Sequence, residues 1–188
     1  MGVMAGIPQY QALDFIRNEV RSLRWKWCAF RRLSVKGDND DGVLGKSAGA
    51  FFVVVQRALM VDAALSICRL FDRTRGTETL ESALRSVKNH LPDADFKRLT
   101  ESLDQIEPKV KAAKLGDARV LVIAHSNQDV ARGSARAPSS GIPAIEEIVQ
   151  STSDWVIDLH GAVGFPYKFD ESELHSSMDG LVKRLRGA

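Results

Sequence analysis

The sequence predicts an all-α fold, a single-domain bundle of about five to seven helices over residues 1–188. Three observations carry that expectation. Apolar residues recur at steps of three and four through most of the chain, which is the period of a helix with one buried face. Strand-type alternation and hairpin signals are absent. No repeat of roughly 20–50 residues appears, so a solenoid is not expected. Composition agrees, since 44% hydrophobic and 27% charged residues suit a folded chain and not a disordered one.

The first helix is expected over about Pro8 to Val35. Leu13, Ile16, Val20, Leu23, Trp27 and Phe30 draw one apolar stripe, and Pro8 suits a first turn, where a missing N–H leaves nothing unpaired. Gly37 to Gly45 (GDNDDGVLG) reads as a solvated turn. Asp38, Asp40 and Asp41 lack the ligand ladder and closing glutamate of a calcium loop. Ser47 to Asp72 is the most hydrophobic stretch. Phe51, Phe52, Val55, Leu59, Ala63 and Ile67 mark one face and Val54, Val61, Leu65 and Cys68 the next, so a central helix buried nearly all round is expected. Gly76, in the turn DRTRGT, supplies a positive φ.

Leu80, Leu84, Val87 and Leu91 set a short helix ending before Pro92. Phe96, Leu99, Leu103, Ile106, Val110 and Ala113 set the next, with a kink or break expected near Ile106 because Pro108 removes a backbone donor. Gly116-Asp117 interrupts the pattern, and Asp117 is a candidate cap for a turn carrying Ala118 to His125. Residues 126–142 read as an exposed loop rich in Gly, Pro and Ser. Helical period resumes at Ile145, Ile148, Thr152, Trp155, Leu159 and Val163. A last helix over 170–186 follows from Leu174, Met178, Leu181 and Leu185, with Asp170 as its N-cap and Lys183, Arg184 and Arg186 at its negative end.

Function narrows first by exclusion. No uninterrupted apolar run approaches the ~20 residues of a membrane span, and Met1 to Gly6 lack signal-peptide features. A cytoplasmic protein without a membrane partner is therefore expected. Cys28 and Cys68 read as buried free thiols, with a disulfide between them the alternative. Together with four scattered histidines they make no structural zinc pattern, and neither metal nor cofactor is expected. The glycine-rich phosphate loop, the G-x-S-x-G elbow, H-E-x-x-H and C-x-x-C are all missing. His90 suits a helix end, His160 reads as structural and His175 as solvent-facing.

His125 differs. Arg119 and His125 bracket five consecutive apolar residues, Val120 to Ala124, before a polar loop begins. Guanidinium holds a phosphate bidentately and imidazole moves a proton near neutral pH, a pairing suited to phosphodiester chemistry. Six positions on one ideal helix separate the two by about 120° and about 9 Å. They converge only if the helix breaks near His125 or if two subunits pool their copies across a dyad. The alternative is a pair that simply hydrogen-bonds the loop at a helix end.

The formal net charge of +2 hides an uneven distribution. Arg17, Arg21, Arg24, Lys26, Arg31, Arg32 and Lys36 face only Glu19, net +6 over twenty residues, so the other 168 sum to −4. These cations are candidate nucleic-acid contacts, with Trp25 able to stack on a base and Trp27 in the core. A solvated basic face is the alternative. Asp62, Arg69 and Asp72 read as an internal ion-pair network anchoring the bundle, or else as a polar rim around Arg119 and His125.

Arg119-x5-His125 in a helical chain resembles the R-x(4–6)-H signature of the HEPN superfamily. The order of three blocks resembles its AbiU2-like abortive-infection branch. They are Phe51-Phe52-x-x-x-Gln56-Arg57-Ala58-Leu59, then Asp62 with Leu65-Ser66-Ile67-Cys68-Arg69-Leu70-Phe71-Asp72, then Ile123-Ala124-His125. The similarity runs from about Trp25 to Phe169. It implies an all-α domain that pairs as a homodimer in toxin–antitoxin or phage-defence systems and acts as a metal-independent endoribonuclease. Arg119 would orient and stabilise the scissile phosphate, and His125 would transfer the proton as the ribose 2′-OH attacks, leaving a 2′,3′-cyclic phosphate. Active members usually carry a polar residue after the arginine, where this chain has Val120. The branch tends to carry an acid two residues after the histidine, where this chain has Asn127, with Asp129 two further on. Two other readings stay open: a non-catalytic module of the same fold that binds RNA or a protein, and an antitoxin or regulatory subunit whose operon partner holds the activity.

Overall fold

A computed structural model describes residues 8–33, 43–74, 76–115 and 142–186. Six helices account for most of them: α1 (Pro8–Leu33), α2 (Val43–Leu70), α3 (Leu80–Ser86), α4 (Asp93–Ala112), α5 (Ile142–Ala162) and α6 (Ser172–Arg186), with a single 3₁₀ turn at Lys88–His90. No strand occurs among the described residues, and the all-α expectation is met. The predicted loop over 126–142 lies outside the described residues except for Ile142, which opens α5.

The hub is α1, which packs against α2, α3, α5 and α6. Its whole predicted stripe, Leu13, Ile16, Val20, Leu23, Trp27 and Phe30, is buried, and each fully buried side chain of this size contributes roughly 1.5–3 kcal/mol. The same core takes Ile67 and Leu70 from α2, Leu80 and Leu84 from α3, Leu99 and Ile106 from α4, and Ile148, Trp155 and Leu159 from α5. Trp155 is 2% exposed, and its Nε1–H donates to the Leu99 carbonyl at 2.9 Å, which fixes the register of α5 against α4. Leu33, Leu44 and Phe52 form a second, smaller cluster with Met178 and Leu185 of α6. There Gln56 donates to the Leu33 carbonyl, satisfying one of the last carbonyls of α1.

Two expectations are corrected. The second helix is not buried all round. Its backbone kinks at Ala48 (φ −159°, ψ 55°), and Phe51, Val53 and Val54 stand 62%, 54% and 66% exposed. Within Lys46–Leu70 an 18-residue window reaches a mean hydropathy of 1.8, so by length and composition alone the segment could cross a membrane. Gln56, Arg57 and Asp62 interrupt its run, which is why consecutive counting passed over it. The fourth helix, in turn, runs unbroken through Pro108. Proline frees the carbonyl of Asp104 four residues earlier, but Asp104 and Pro108 are both exposed, so water replaces the lost bond.

Local chemistry sets the remaining ends. Thr79 and Ser82 cap α3 reciprocally, Thr79 Oγ1 accepting the Ser82 N–H at 3.1 Å and Ser82 Oγ the Thr79 N–H at 2.7 Å. Gly76 has φ +91° as expected, and Gly164 (φ +82°) ends α5 with Phe165 N–H on the His160 carbonyl at 2.9 Å and Gly164 N–H on the Gly161 carbonyl at 3.0 Å. Asp170 Oδ1 accepts the Ser172 N–H at 2.9 Å, the capping role expected of it. No residue of α6 is fully buried.

Replacing Trp155 by Ala should cost about 3–5 kcal/mol in urea unfolding followed by circular dichroism. Trp155→Phe should cost less, because only the indole donor and part of the ring are lost. A loss under about 1 kcal/mol for the alanine variant would remove Trp155 from the centre of the packing.

Candidate functional site

Arg119, His125, Asn127 and Asp129 lie outside the described residues. Their segment follows Leu115, a buried side chain (1% exposed) that lines a cleft of about 650 Å³ with Cys68, Phe71 and Asp72 from the end of α2 and Glu107, Lys111 and Lys114 from α4. A neighbouring cavity of about 240 Å³ shares Phe71, Asp72, Arg73 and Glu107 and continues to Leu80, Leu84 and Phe96. The two therefore share a wall in which Arg73 lies 2.7 Å and Lys111 3.1 Å from Glu107. Lys114, in the left-handed region at φ 49°, is exposed and makes no ion pair among the described residues. The cleft has an apolar floor and a rim of both charges.

Of the three polar residues predicted on α2 and just after it, Asp72 lines both cavities. It also folds the turn, its Oδ1 accepting the Thr74 N–H at 2.9 Å and the Thr74 hydroxyl at 2.6 Å. Asp62 pairs instead with Lys26 of α1 at 2.8 Å, and Arg69 with Glu19 of α1 at 3.4 Å. These contacts do anchor α2 to α1, but at the surface and not internally, with Asp62 48% and Arg69 56% exposed. Exposed pairs of this kind contribute about 0–1 kcal/mol each.

The basic face of α1 is largely spoken for by its own bundle. Arg17 pairs with Asp14 at 2.9 Å, Arg24 with Glu171 at 2.6 Å and Arg32 with Asp179 at 3.4 Å. Arg31 pairs with Glu146, and Lys26 with Asp62 as above. Arg21 is exposed and has no ion pair among the described residues. Trp25 is 39% exposed with its Nε1 3.4 Å from the Asp170 carbonyl. Trp27 is in the core as predicted, stacked on Phe30 at 5.2 Å.

The histidines divide. His90 is exposed. His160 is buried, 2% exposed, with its ring 5.7 Å from that of Tyr167, as its structural reading expects. His175 is not simply solvent-facing. It meets Cys28 and Glu171, the three ligand atoms lying within 4.8 Å of one another. Cys28 and Cys68 form no disulfide with each other, and both are half-buried where full burial was expected. No spacing rule reveals this cluster, since Cys28 and His175 are 147 residues apart.

A helical bundle packed on one long basic helix is compatible with the HEPN class, whose R-x(4–6)-H signature the sequence carries as Arg119-x5-His125. The chain belongs to the AbiU2 family of HEPN proteins, an abortive-infection family, whose model matches residues 11–179. The match extends past residues 25–169 at both ends. No curated protein and no solved structure matches.

His160 carries a pH dependence of stability. Burial first and Arg17 second hold its imidazole below the ordinary 6.5, against opposing contributions from the Leu13 backbone and Asp14. The unfolded chain then binds the proton more tightly, so this stability is complete above 6.5 and is lost as pH falls toward the folded value. The melting temperature should drop between about pH 7.5 and about pH 5.5, and His160→Gln should flatten the drop. An equal drop in the variant would assign it to other groups.

Proposed function

We propose that the chain is a metal-independent endoribonuclease of an abortive-infection or toxin–antitoxin system, acting as a cytoplasmic homodimer with Arg119 and His125 at the scissile phosphate. The observation that carries this reading is the family match over residues 11–179, a span that contains Arg119-x5-His125. His125 takes the proton of the ribose 2′-OH as that oxygen attacks phosphorus. Arg119 holds the non-bridging oxygens while negative charge builds on them. The 5′-oxygen leaves, and a 2′,3′-cyclic phosphate remains. The cleft beside Leu115 supports the reading, since Lys114 at its rim is a cation with no ion pair among the described residues. The basic side chains of α1 support RNA contact less, because most of them already pair with Asp or Glu.

The homodimer has two supports. A single helix would hold Arg119 and His125 about 120° apart, and a dyad removes that difficulty by pooling copies. The exposed face of α2 is the other. Phe51, Val54, Ala58, Val61 and Leu65 repeat at three-four steps, the spacing of a helix-pairing seam, and Phe51 and Val54 are among the most exposed apolar side chains.

Labelled RNA incubated with the protein in EDTA should be cut, and Arg119→Ala and His125→Ala should each lower the rate by about 10²–10⁴-fold. Equal rates in wild type and both variants would end the assignment. RNA binding without cutting, weakening as salt rises, would favour the binding module to which Val120 and Asn127 point. Val54→Asp should halve the mass measured by light scattering, whereas an unchanged dimer would move the interface elsewhere. Co-purification with an operon neighbour reads out an antitoxin partner.

A further inference from the structure

One face of α1 is left uncovered by the bundle. Phe15, Asn18, Arg21 and Trp25 are exposed on it, turned away from the buried stripe of Leu13, Ile16, Val20, Leu23 and Trp27. Phe15 is 47% and Trp25 39% exposed. Ten positions separate these two aromatic residues, about 15 Å along the helix axis. Between them stand Asn18, Arg21 and Ser22, polar where a helix-pairing seam would be apolar.

The segment 163–171, which joins α5 to α6, runs beside this face. Arg17 Cζ lies 5.6 Å from the centre of the Tyr167 ring and Arg24 Cζ 5.1 Å from that of Phe169. Trp25 Nε1 lies 3.4 Å from the Asp170 carbonyl oxygen. These contacts lay the segment along α1 and put Lys168 on the same stretch of the surface as Arg21. The acids around them are engaged. Asp14 pairs with Arg17 at 2.9 Å, Glu19 with Arg69 at 3.4 Å and Glu171 with Arg24 at 2.6 Å. Asp170 Oδ1 accepts the Ser172 N–H at 2.9 Å. Arg21 and Lys168 are exposed and have no ion pair among the described residues.

We propose that this face of α1 binds single-stranded RNA outside the cleft beside Leu115. Bases stack on Trp25 and Phe15, and Arg21 and Lys168 meet the phosphates that run between them. Exposed aromatic rings beside unneutralised cations hold unpaired strands, because every base offers a face for stacking and every nucleotide a charge. A duplex keeps its bases inside and offers its backbone and grooves instead. RNA as the ligand class rests on the ribonuclease reading, to which this face adds residues that hold the strand without cutting it.

The test uses the full chain carrying His125→Ala, so that the strand survives, titrated in EDTA with oligouridylate or with an RNA duplex of equal length. Trp27 and Trp155 are 5% and 2% exposed, so quenching of tryptophan fluorescence reports on Trp25. Oligouridylate should quench it and should bind more tightly than the duplex. Trp25→Ala should weaken binding about fivefold or more, while Trp25→Phe should keep most of the affinity. Arg21→Gln and Lys168→Gln should each flatten the slope of log affinity against log salt by about 0.7. Binding without quenching, affinity unmoved by Trp25→Ala, a duplex bound as tightly as the strand, or slopes unmoved in both glutamine variants would each overturn the proposal. Absence of RNA binding, with a light-scattering mass that falls in Trp25→Ala, would give the face to a second copy and overturn it too. If the wild type cuts no RNA while oligouridylate still quenches Trp25, the ribonuclease reading falls and the binding face stands. RNA cut in dependence on Arg119 and His125, with Trp25 unquenched, overturns the binding face alone.

Discussion

The bundle depends on a single helix being used on every side. One face of α1 carries six buried apolar side chains into the common core. Its remaining faces carry cations that reach α2 through Lys26, α5 through Arg31, α6 through Arg32 and the residue just before α6, Glu171, through Arg24. Apolar burial supplies most of the stability here, and the ion pairs, largely at the surface, add little each. What they add is direction, because Lys26 paired to Asp62 and Arg24 paired to Glu171 fix which face of each neighbour meets α1. A net charge of +6 over residues 17–36 therefore reflects internal architecture before it reflects any partner.

The same arrangement sets three features apart in the molecule. The cleft by Leu115 and Asp72 lies between the end of α2 and α4, along the chain just before Arg119. The exposed apolar face of Phe51 and Val54 lies on the first half of α2. The Cys28–His175 cluster lies on the side of α1 that α6 covers. α6 has no fully buried residue and is held by α1 and α2 alone among the stronger contacts. The main core, built from α1, α3, α4 and α5 with the second half of α2, takes no buried residue from it.

Legibility followed from what one-dimensional spacing encodes. The stripe on α1, the cap at Asp170, the positive φ of Gly76 and the place of Trp155 on the apolar stripe of α5 were readable because period and turn chemistry are local. The exposure of Phe51 and Val54 was not, since hydropathy says that a face is apolar without saying what covers it. Pro108 misled because its cost depends on whether the freed Asp104 carbonyl meets water, which is a tertiary fact. The Cys28 cluster was invisible for the same reason, as α1 and α6 meet only in the folded chain. Arg119 and His125 were readable as a motif, and their mutual geometry is not something that spacing encodes.

The chemistry of cut RNA ends tests the central claim most directly. In EDTA the wild-type protein should leave 2′,3′-cyclic phosphate and 5′-hydroxyl ends, and His125→Ala should leave the substrate intact. Intact RNA with wild type, or ends bearing a 3′-hydroxyl that form only with divalent metal, would contradict the account.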